Sequence, residues 1–178
     1  MKKELLTHLT STLIFFAVLT LANRFFDFAY WPLWLGGVAG TFLADLDHLI
    51  YVYFLEPNDL NSQRFVYLRG QGNLYKAFDV LATSRHERTK LIFHTALFQV
   101  IFLVMTYLIV STSSSLFAKG IVLAFFLHLL IDQLVDLLKL GSLGIWFRSV
   151  NLTINKEKSM FYWLGMVLLL LFIGTVIL

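Results

Sequence analysis

The stretch Phe117–Leu138, FAKGIVLAFFLHLLIDQLVDLL, is long and apolar enough to cross a membrane, yet it carries His128 and Asp132 in its interior. A spanning helix needs about 20 consecutive, mostly apolar residues. An Asp at the centre of such a helix costs roughly 2.5–3.5 kcal/mol on insertion scales, so polar groups at that depth are usually paired, hydrated or bound to a metal. This stretch therefore predicts both a membrane fold and a buried polar site.

The composition of the whole chain supports the membrane class. Its 178 residues are 58% hydrophobic and 14% charged, and the mean hydropathy is +0.77. Soluble domains are about 45–50% apolar and about 25% charged. The absence of cysteine excludes disulfides, thiolate metal ligands and cysteine nucleophiles. We expect one polytopic membrane domain over residues 1–178 and no nucleic-acid partner, because basic residues beside membrane spans match attraction to lipid surfaces.

Five apolar stretches predict an all-α bundle of about five transmembrane helices. They lie near Leu5–Ala22, Trp31–Leu55, Leu91–Val110, Phe117–Leu138 and Met160–Leu178. The first is short enough to suit a signal-peptide core ending near Ala22, but His8 within it favours an uncleaved anchor. The hydrophilic stretch 56–90 predicts short amphipathic helices on the cytoplasmic membrane surface. Gly36 and Gly40, four residues apart in the second span, predict a close helix-packing face.

The basic residues predict the orientation, because cytoplasmic loops are enriched in Lys and Arg. With the N-terminus inside, twelve of the 14 Lys and Arg residues fall on the cytoplasmic side, and only Arg24 and Lys119 fall outside. We therefore expect a multi-pass protein of the cell inner (cytoplasmic) membrane, with the N-terminus cytoplasmic and the C-terminus outside.

The polar groups of four spans fall at one level. At ~1.5 Å per residue, Asp45–His48 lie ~20–24 Å into the second span from outside. His128 lies ~16 Å and Asp132 ~22 Å into the fourth span, which runs in the same direction. His8 and His94 are each about one turn from the cytoplasmic ends of their spans. This shared depth predicts that the side chains meet in a single site.

Such a site is suited to a divalent metal ion. The candidate ligands are His8, Asp45, Asp47, His48, His94, His128 and Asp132. Imidazole and carboxylate ligands favour zinc, with manganese or magnesium as alternatives. Asp47 lies ~160° around an ideal helix from Asp45, so both bind one ion only if the helix is distorted there. Otherwise one of the two carboxylates supports another ligand.

Four motifs carry a family resemblance. They are His8, Asp45-Leu46-Asp47-His48, His94-Thr95 and His128-Leu-Leu-Ile-Asp132. Their order resembles the YdjM-like predicted membrane-bound metal-dependent hydrolases, from Thr7 to about Asp132. Ala44 stands where that family tends to have proline. A looser His86-Glu87-Arg88-Thr89 replaces the family's His-Arg-Gly-x-Thr-His-Ser motif, which leaves His94 as the better match.

The resemblance implies a metal-dependent hydrolase that works at the cytoplasmic leaflet. A metal-activated water would attack an ester or phosphoester of a lipid or lipid-linked substrate, with Asp47 accepting the proton of the water. Arg85, Arg88 and Lys90 lie at the cytoplasmic mouth, where they can hold an anionic headgroup. The alternative is a non-enzymatic membrane protein whose buried His/Asp cluster is a structural metal site or a polar network.

Overall fold

The computed structural model describes residues 2–84, 87, 88, 90–150 and 152–178, with the backbone alone at Lys2. These residues form helices and connecting turns, with no β-strand among them, so the all-α prediction is confirmed. The α-helices are α1 (Lys2–Asn23), α2 (Trp31–Leu43), α3 (Leu46–Ile50), α4 (Leu60–Gly70), α5 (Leu74–Thr83), α6 (Ala96–Thr112), α7 (Leu116–Leu140) and α8 (Lys156–Phe172). Two π-helical turns, Tyr51–Leu55 and Ile173–Ile177, extend α3 and α8.

Four helical stretches are long and apolar enough to cross a membrane. They are Lys3–Asn23, Phe28–Leu55, Leu116–Leu140 and Lys156–Ile177. They match the first, second, fourth and fifth predicted spans. Helix α6 has only 17 residues and is about 26 Å long, against a hydrocarbon core of about 30 Å. The prediction that this span begins at Leu91 is wrong, because residues 91–95 are not helical.

Helix α7 forms the centre of the bundle. In the 18-residue stretch of α7 with the highest hydropathy, 67% is buried, against 22–33% in the corresponding stretches of the other three spans. It lies in backbone contact with α2: a Cβ at Gly36 or Gly40 would overlap a carbonyl oxygen of α7. In the same way, a Cβ at Gly120 would overlap the carbonyl oxygen of Leu33. The close-packing face predicted from the glycine spacing is thus confirmed.

The hydrophilic stretch folds as two short helices, α4 and α5, that pack on each other. Their buried Phe65, Ala77 and Leu81 form a small core with Tyr51 and Val52 of the π-helical turn. The predicted short helices are therefore present, and they cover the end of the second span.

The second span is broken where its acidic residues lie. Between α2 and α3 the backbone N–H groups of Asp45, Asp47 and His48 donate to carbonyl oxygens three residues back, at 3.2, 3.4 and 3.0 Å. Such bonds tighten the turn relative to an α-helix. The helix is therefore distorted at these residues, although Ala44 replaces the expected proline, and Asp45 and Asp47 still contact different partners.

Candidate metal centre

Asp132 is the meeting point of three imidazoles from separate parts of the chain. Its Oδ1 lies 3.2 Å from Nε2 of His8 on α1. Its Oδ2 lies 2.9 Å from Nε2 of His94, which precedes α6, and 3.3 Å from Nε2 of His128, one turn earlier on α7. His8, His128 and Asp132 each offer a ligand atom within 4.8 Å of the others. The convergence predicted from the shared depth is present.

His128 is buried without a hydrogen bond to either ring nitrogen. The residue is 2% exposed, and neither Nδ1 nor Nε2 has a hydrogen-bond partner among the described residues. Its ring stacks on that of His8, with centroids 3.9 Å apart and planes within 5°. A buried donor left unsatisfied costs about 1–3 kcal/mol. A cation bound at Nε2 would remove the need for a hydrogen bond there.

His94 places its two nitrogens against two carboxylates. Nδ1 lies 2.9 Å from Oδ2 of Asp47, and Nε2 lies 2.9 Å from Oδ2 of Asp132. A neutral imidazole carries one N–H, so it can donate to only one of these carboxylates. If Nδ1–H donates to Asp47, the lone pair of Nε2 faces a carboxylate oxygen, which is favourable only with a proton or a metal ion between them.

The distances are close to those around a divalent ion. Tetrahedral nitrogen and oxygen ligands at about 2.0–2.2 Å from one zinc ion lie about 3.3–3.6 Å from each other. The His128–Asp132 contact, at 3.3 Å, lies at the lower end of that interval, and the His8–Asp132 contact, at 3.2 Å, lies just below it. These residues are therefore a chemically suitable set of ligands for a divalent ion.

Asp47 is bonded to the residues that precede α6. It is fully buried, and its Oδ1 accepts the backbone N–H of Ile92 at 3.0 Å. Its Oδ2 accepts the backbone N–H of Phe93 at 2.7 Å and of His94 at 3.2 Å, and lies 2.9 Å from Nδ1 of His94. Both oxygens accept hydrogen bonds, so the geometry favours a supporting role for Asp47 over the predicted roles of proton acceptor and direct ligand. Asp45 and Asp47 point in nearly opposite directions on a helix, which is why the two carboxylates have different partners.

Asp45 is the accessible carboxylate of the cluster. Its side chain is 53% exposed, and Oδ1 lies 3.6 Å from Nε2 of His128. His48 lies beside the cluster, with its ring stacked on His94 at a centroid distance of 5.0 Å. Asp45 is thus placed as an outer ligand or as a proton acceptor, and His48 as a support for His94.

The basic residues predicted to bind substrate line a separate cleft. This cleft of about 230 Å³ contains Arg88, Lys90 and Arg148, and among the described histidines only His94 lines it. Arg88 is buried, and its guanidinium donates to Oγ of Ser84 and to the carbonyl of Leu81 at the end of α5. Arg85 and His86 lie outside the described residues.

Lys90 is already engaged by a carboxylate. Its ammonium group forms an ion pair with Glu56. This hydrogen-bonded pair raises the pKa of Lys90 above its usual value, so the side chain stays charged. The availability of both Lys90 and Arg88 for an anionic headgroup is therefore lower than the sequence suggests.

Two residues near the site escaped the sequence prediction. Asp136, one turn beyond Asp132, is buried and accepts a hydrogen bond from Nε1 of Trp146 at 2.8 Å. The carbonyl of Trp146 accepts the backbone N–H of Ala96 at 2.8 Å. Trp146 thereby anchors the start of α6, close to His94. The spacing of four residues between Asp132 and Asp136 could have predicted that Asp136 lies on the same helix face. No feature of the neighbouring sequence predicted a role for Trp146.

Comparison of the chain with protein-family models, curated proteins and solved structures finds no match. The assignment of the site therefore depends on the geometry described above.

Proposed function

We propose that the chain is a multi-pass protein of the cell inner membrane in which α6 is a fifth, short spanning helix. The four long apolar stretches and the bias of basic residues towards one side support this arrangement. The N-terminus would be cytoplasmic and the C-terminus outside. The non-helical residues 91–95 would complete the passage at the cytoplasmic side, where the backbone N–H groups of Ile92, Phe93 and His94 are bonded to Asp47.

We propose further that the protein is a metal-dependent hydrolase of an ester or phosphoester in a lipid or lipid-linked substrate. The observation that carries this proposal is the buried imidazole of His128, which has no hydrogen bond to any described residue but faces His8, Asp132 and Asp45. Burying an imidazole in this way is costly unless another partner is bound. The resemblance to the YdjM-like predicted hydrolases agrees with this proposal.

In this proposal His8, His128 and Asp132 hold the ion, with His94 completing the set. Zinc is the first choice and manganese or magnesium the alternatives, since the ligands are imidazole and carboxylate. When bound, the ion supplies an activated water and polarises the oxygen of the scissile bond.

The remaining residues move the proton and hold the ligands. Asp45 is accessible, so it takes the proton from the attacking water. The water oxygen forms a bond to the acyl carbon or phosphorus, the bond to the leaving oxygen breaks, and that oxygen receives the proton. Asp47 fixes the ring of His94, so that Nε2 points at Asp132.

Elemental analysis of the detergent-purified protein tests the metal site. The wild type is expected to hold about one equivalent of a divalent metal per site, and the double variant His128→Ala, Asp132→Ala to hold almost none. The variant Asp27→Ala, which changes an exposed carboxylate outside the cluster, is the control. Equal and negligible metal in the wild type and the double variant would end the metal proposal.

A lipid-hydrolysis assay then tests the reaction. Native lipid extract is incubated with the wild type, with and without a chelator, and released headgroup, phosphate and fatty acid are measured. Chelator-sensitive release that the double variant lacks supports the hydrolase. Absence of release from lipids and from a broad panel of esters favours the non-enzymatic alternative.

That alternative has one observation in its favour. His94 lies 2.9 Å from each of two carboxylates, so a protonated His94 would form a self-contained polar network between helices. Folding that is insensitive to chelators, together with the absence of hydrolysis, would support such a network.

A further inference from the structure

An apolar groove leads to the open edge of the metal centre. It measures about 350 Å³ and lies between α1, the break after α2, α3 and α5. Apolar side chains form most of it, including Leu5, Phe42, Leu49 and Phe78, and His8 and Asp45 line it as well. Its size is within the range of roughly 300–1,000 Å³ that is usual for ligand pockets.

Of the proposed metal-site residues, His8 and Asp45 line this groove, whereas His94 lines the basic cleft. Asp45, the most exposed carboxylate of the cluster, lines the groove together with His8. The cleft on the other side reaches only His94 among these imidazoles. The ring of His94 lies between His48, which lines the groove, and Trp146, which lines the cleft, at centroid distances of 5.0 and 5.6 Å. The His94 ring therefore separates the two cavities.

The apolar side chains that line the groove are partly exposed at its edge. Leu5, Phe42, Leu46 and Phe78 remain 42–45% exposed. In a membrane protein, apolar side chains exposed at the edge of a groove are in contact with lipid chains. An amphiphile can therefore enter sideways from the bilayer, with its hydrocarbon chain leading and its polar linkage reaching His8 and Asp45.

We infer that the groove binds the hydrocarbon chain of a membrane amphiphile and that the bond cleaved is the one joining this chain to its polar part. The inference depends on the proposed hydrolase for the cleavage, but the binding of the chain does not require metal. His8 and Asp45 line the groove. The polar atoms of an amphiphile that adjoin its bound chain are therefore within reach of the metal site. A linear acyl chain and a branched isoprenoid chain share this chemistry.

Photolabelling in nanodiscs tests the binding of the chain. The probes are an uncharged linear fatty amide and an uncharged isoprenyl amide, each with a diazirine at the end of the chain. Adducts are expected on peptides containing Leu5 or Phe78, and the better-labelling probe identifies the type of chain. The variants Ala82→Phe and Leu5→Trp each fill the groove and are expected to lose this labelling.

The matched control is Lys76→Phe, which adds the same side chain to α5 at an exposed position outside the groove. It is expected to keep wild-type labelling. Labelling that both groove-filling variants leave unchanged would overturn the inference. So would adducts spread equally over the exposed apolar faces of α6 and α8.

Product analysis separates this inference from the proposed function. Release of the free chain as an acid, alcohol or phosphate, lost in Ala82→Phe but kept in Lys76→Phe, supports cleavage next to the chain. Groove labelling in a protein without metal would support chain binding and refute only the hydrolase. Metal-dependent hydrolysis without groove labelling would refute only the chain site.

Discussion

Asp47 holds His94 in two ways: its carboxylate lies 2.9 Å from the ring Nδ1 and accepts the backbone N–H of the same residue at 3.2 Å. The ring is thereby fixed in position, with Nε2 directed at Asp132. Carboxylates in this position raise the basicity of a metal-binding imidazole. The pair therefore connects the break in the second span with the entrance to α6 and with the metal centre.

Replacing Asp47 by Asn should weaken metal binding. Loss of the charge removes support from His94 and leaves an amide N–H₂ facing backbone donors, so we expect metal affinity to fall by about 10–100-fold. Competition with a chromogenic chelator measures this affinity. Asp27→Asn, outside the cluster, should bind as the wild type does. Wild-type affinity in Asp47→Asn would show that His94 does not depend on this contact.

Replacing Asp45 by Asn should separate catalysis from binding. We expect the metal content to be largely retained and kcat to fall by about 10²–10⁴-fold, as for loss of a general base. The control is Glu4→Gln, which changes another carboxylate that lines the same groove. If metal content falls together with activity, Asp45 is instead an essential ligand. An unchanged kcat would show that Asp45 takes no part in the reaction.

Replacing Gly120 by Ala should destabilise the bundle. The added Cβ would overlap the backbone of Leu33, which cannot move away as a side chain can, so a cost of about 1–3 kcal/mol is expected. Thermal unfolding in detergent measures it. Gly165→Ala on α8 is the control, because nothing lies within 4 Å of its added Cβ. Equal melting temperatures for the two variants would contradict the close contact of α2 and α7.

A pair of buried amides should behave as a coupled unit. Gln99 and Gln133 each donate from Nε2 to the other's Oε1, at 3.2 and 2.7 Å. Tyr162 also donates to Oε1 of Gln99 at 2.7 Å. Gln133→Leu alone leaves a buried amide without its partner, at a cost of about 1–3 kcal/mol.

The double variant Gln99→Leu, Gln133→Leu should recover part of that loss, since both amides are then removed. A double-mutant cycle of unfolding free energies, with Tyr162→Phe measured alongside, gives the coupling energy. Strict additivity of the two single variants would show that the amides act independently.

The spans were predictable because their signal is local. Long apolar runs such as Phe117–Leu138 can bury their backbone polar groups in a membrane only as helices. His128 and Asp132 lie four residues apart and therefore share one face of a helix. The two glycines of α2, also four residues apart, share a face for the same reason. Depth along each span, calculated from the rise per residue, was sufficient to predict that His8 and His94 meet Asp132.

Other features were decided only by tertiary contacts. The start of α6 was misplaced because residues 91–93 are apolar, yet the backbone N–H groups of Ile92 and Phe93 bond to Asp47, some 45 residues earlier in the chain. The partners of the two carboxylates, Asp45 and Asp47, likewise come from distant parts of the chain. The hydropathy of a segment shows whether it can enter a membrane, but hydrogen bonds from distant residues decide whether it is helical and which side chains reach the centre. The sequence by itself determined the long apolar helices and the level of the polar groups along them, whereas packing around α7 decided which of these groups meet at Asp132 and which line the groove.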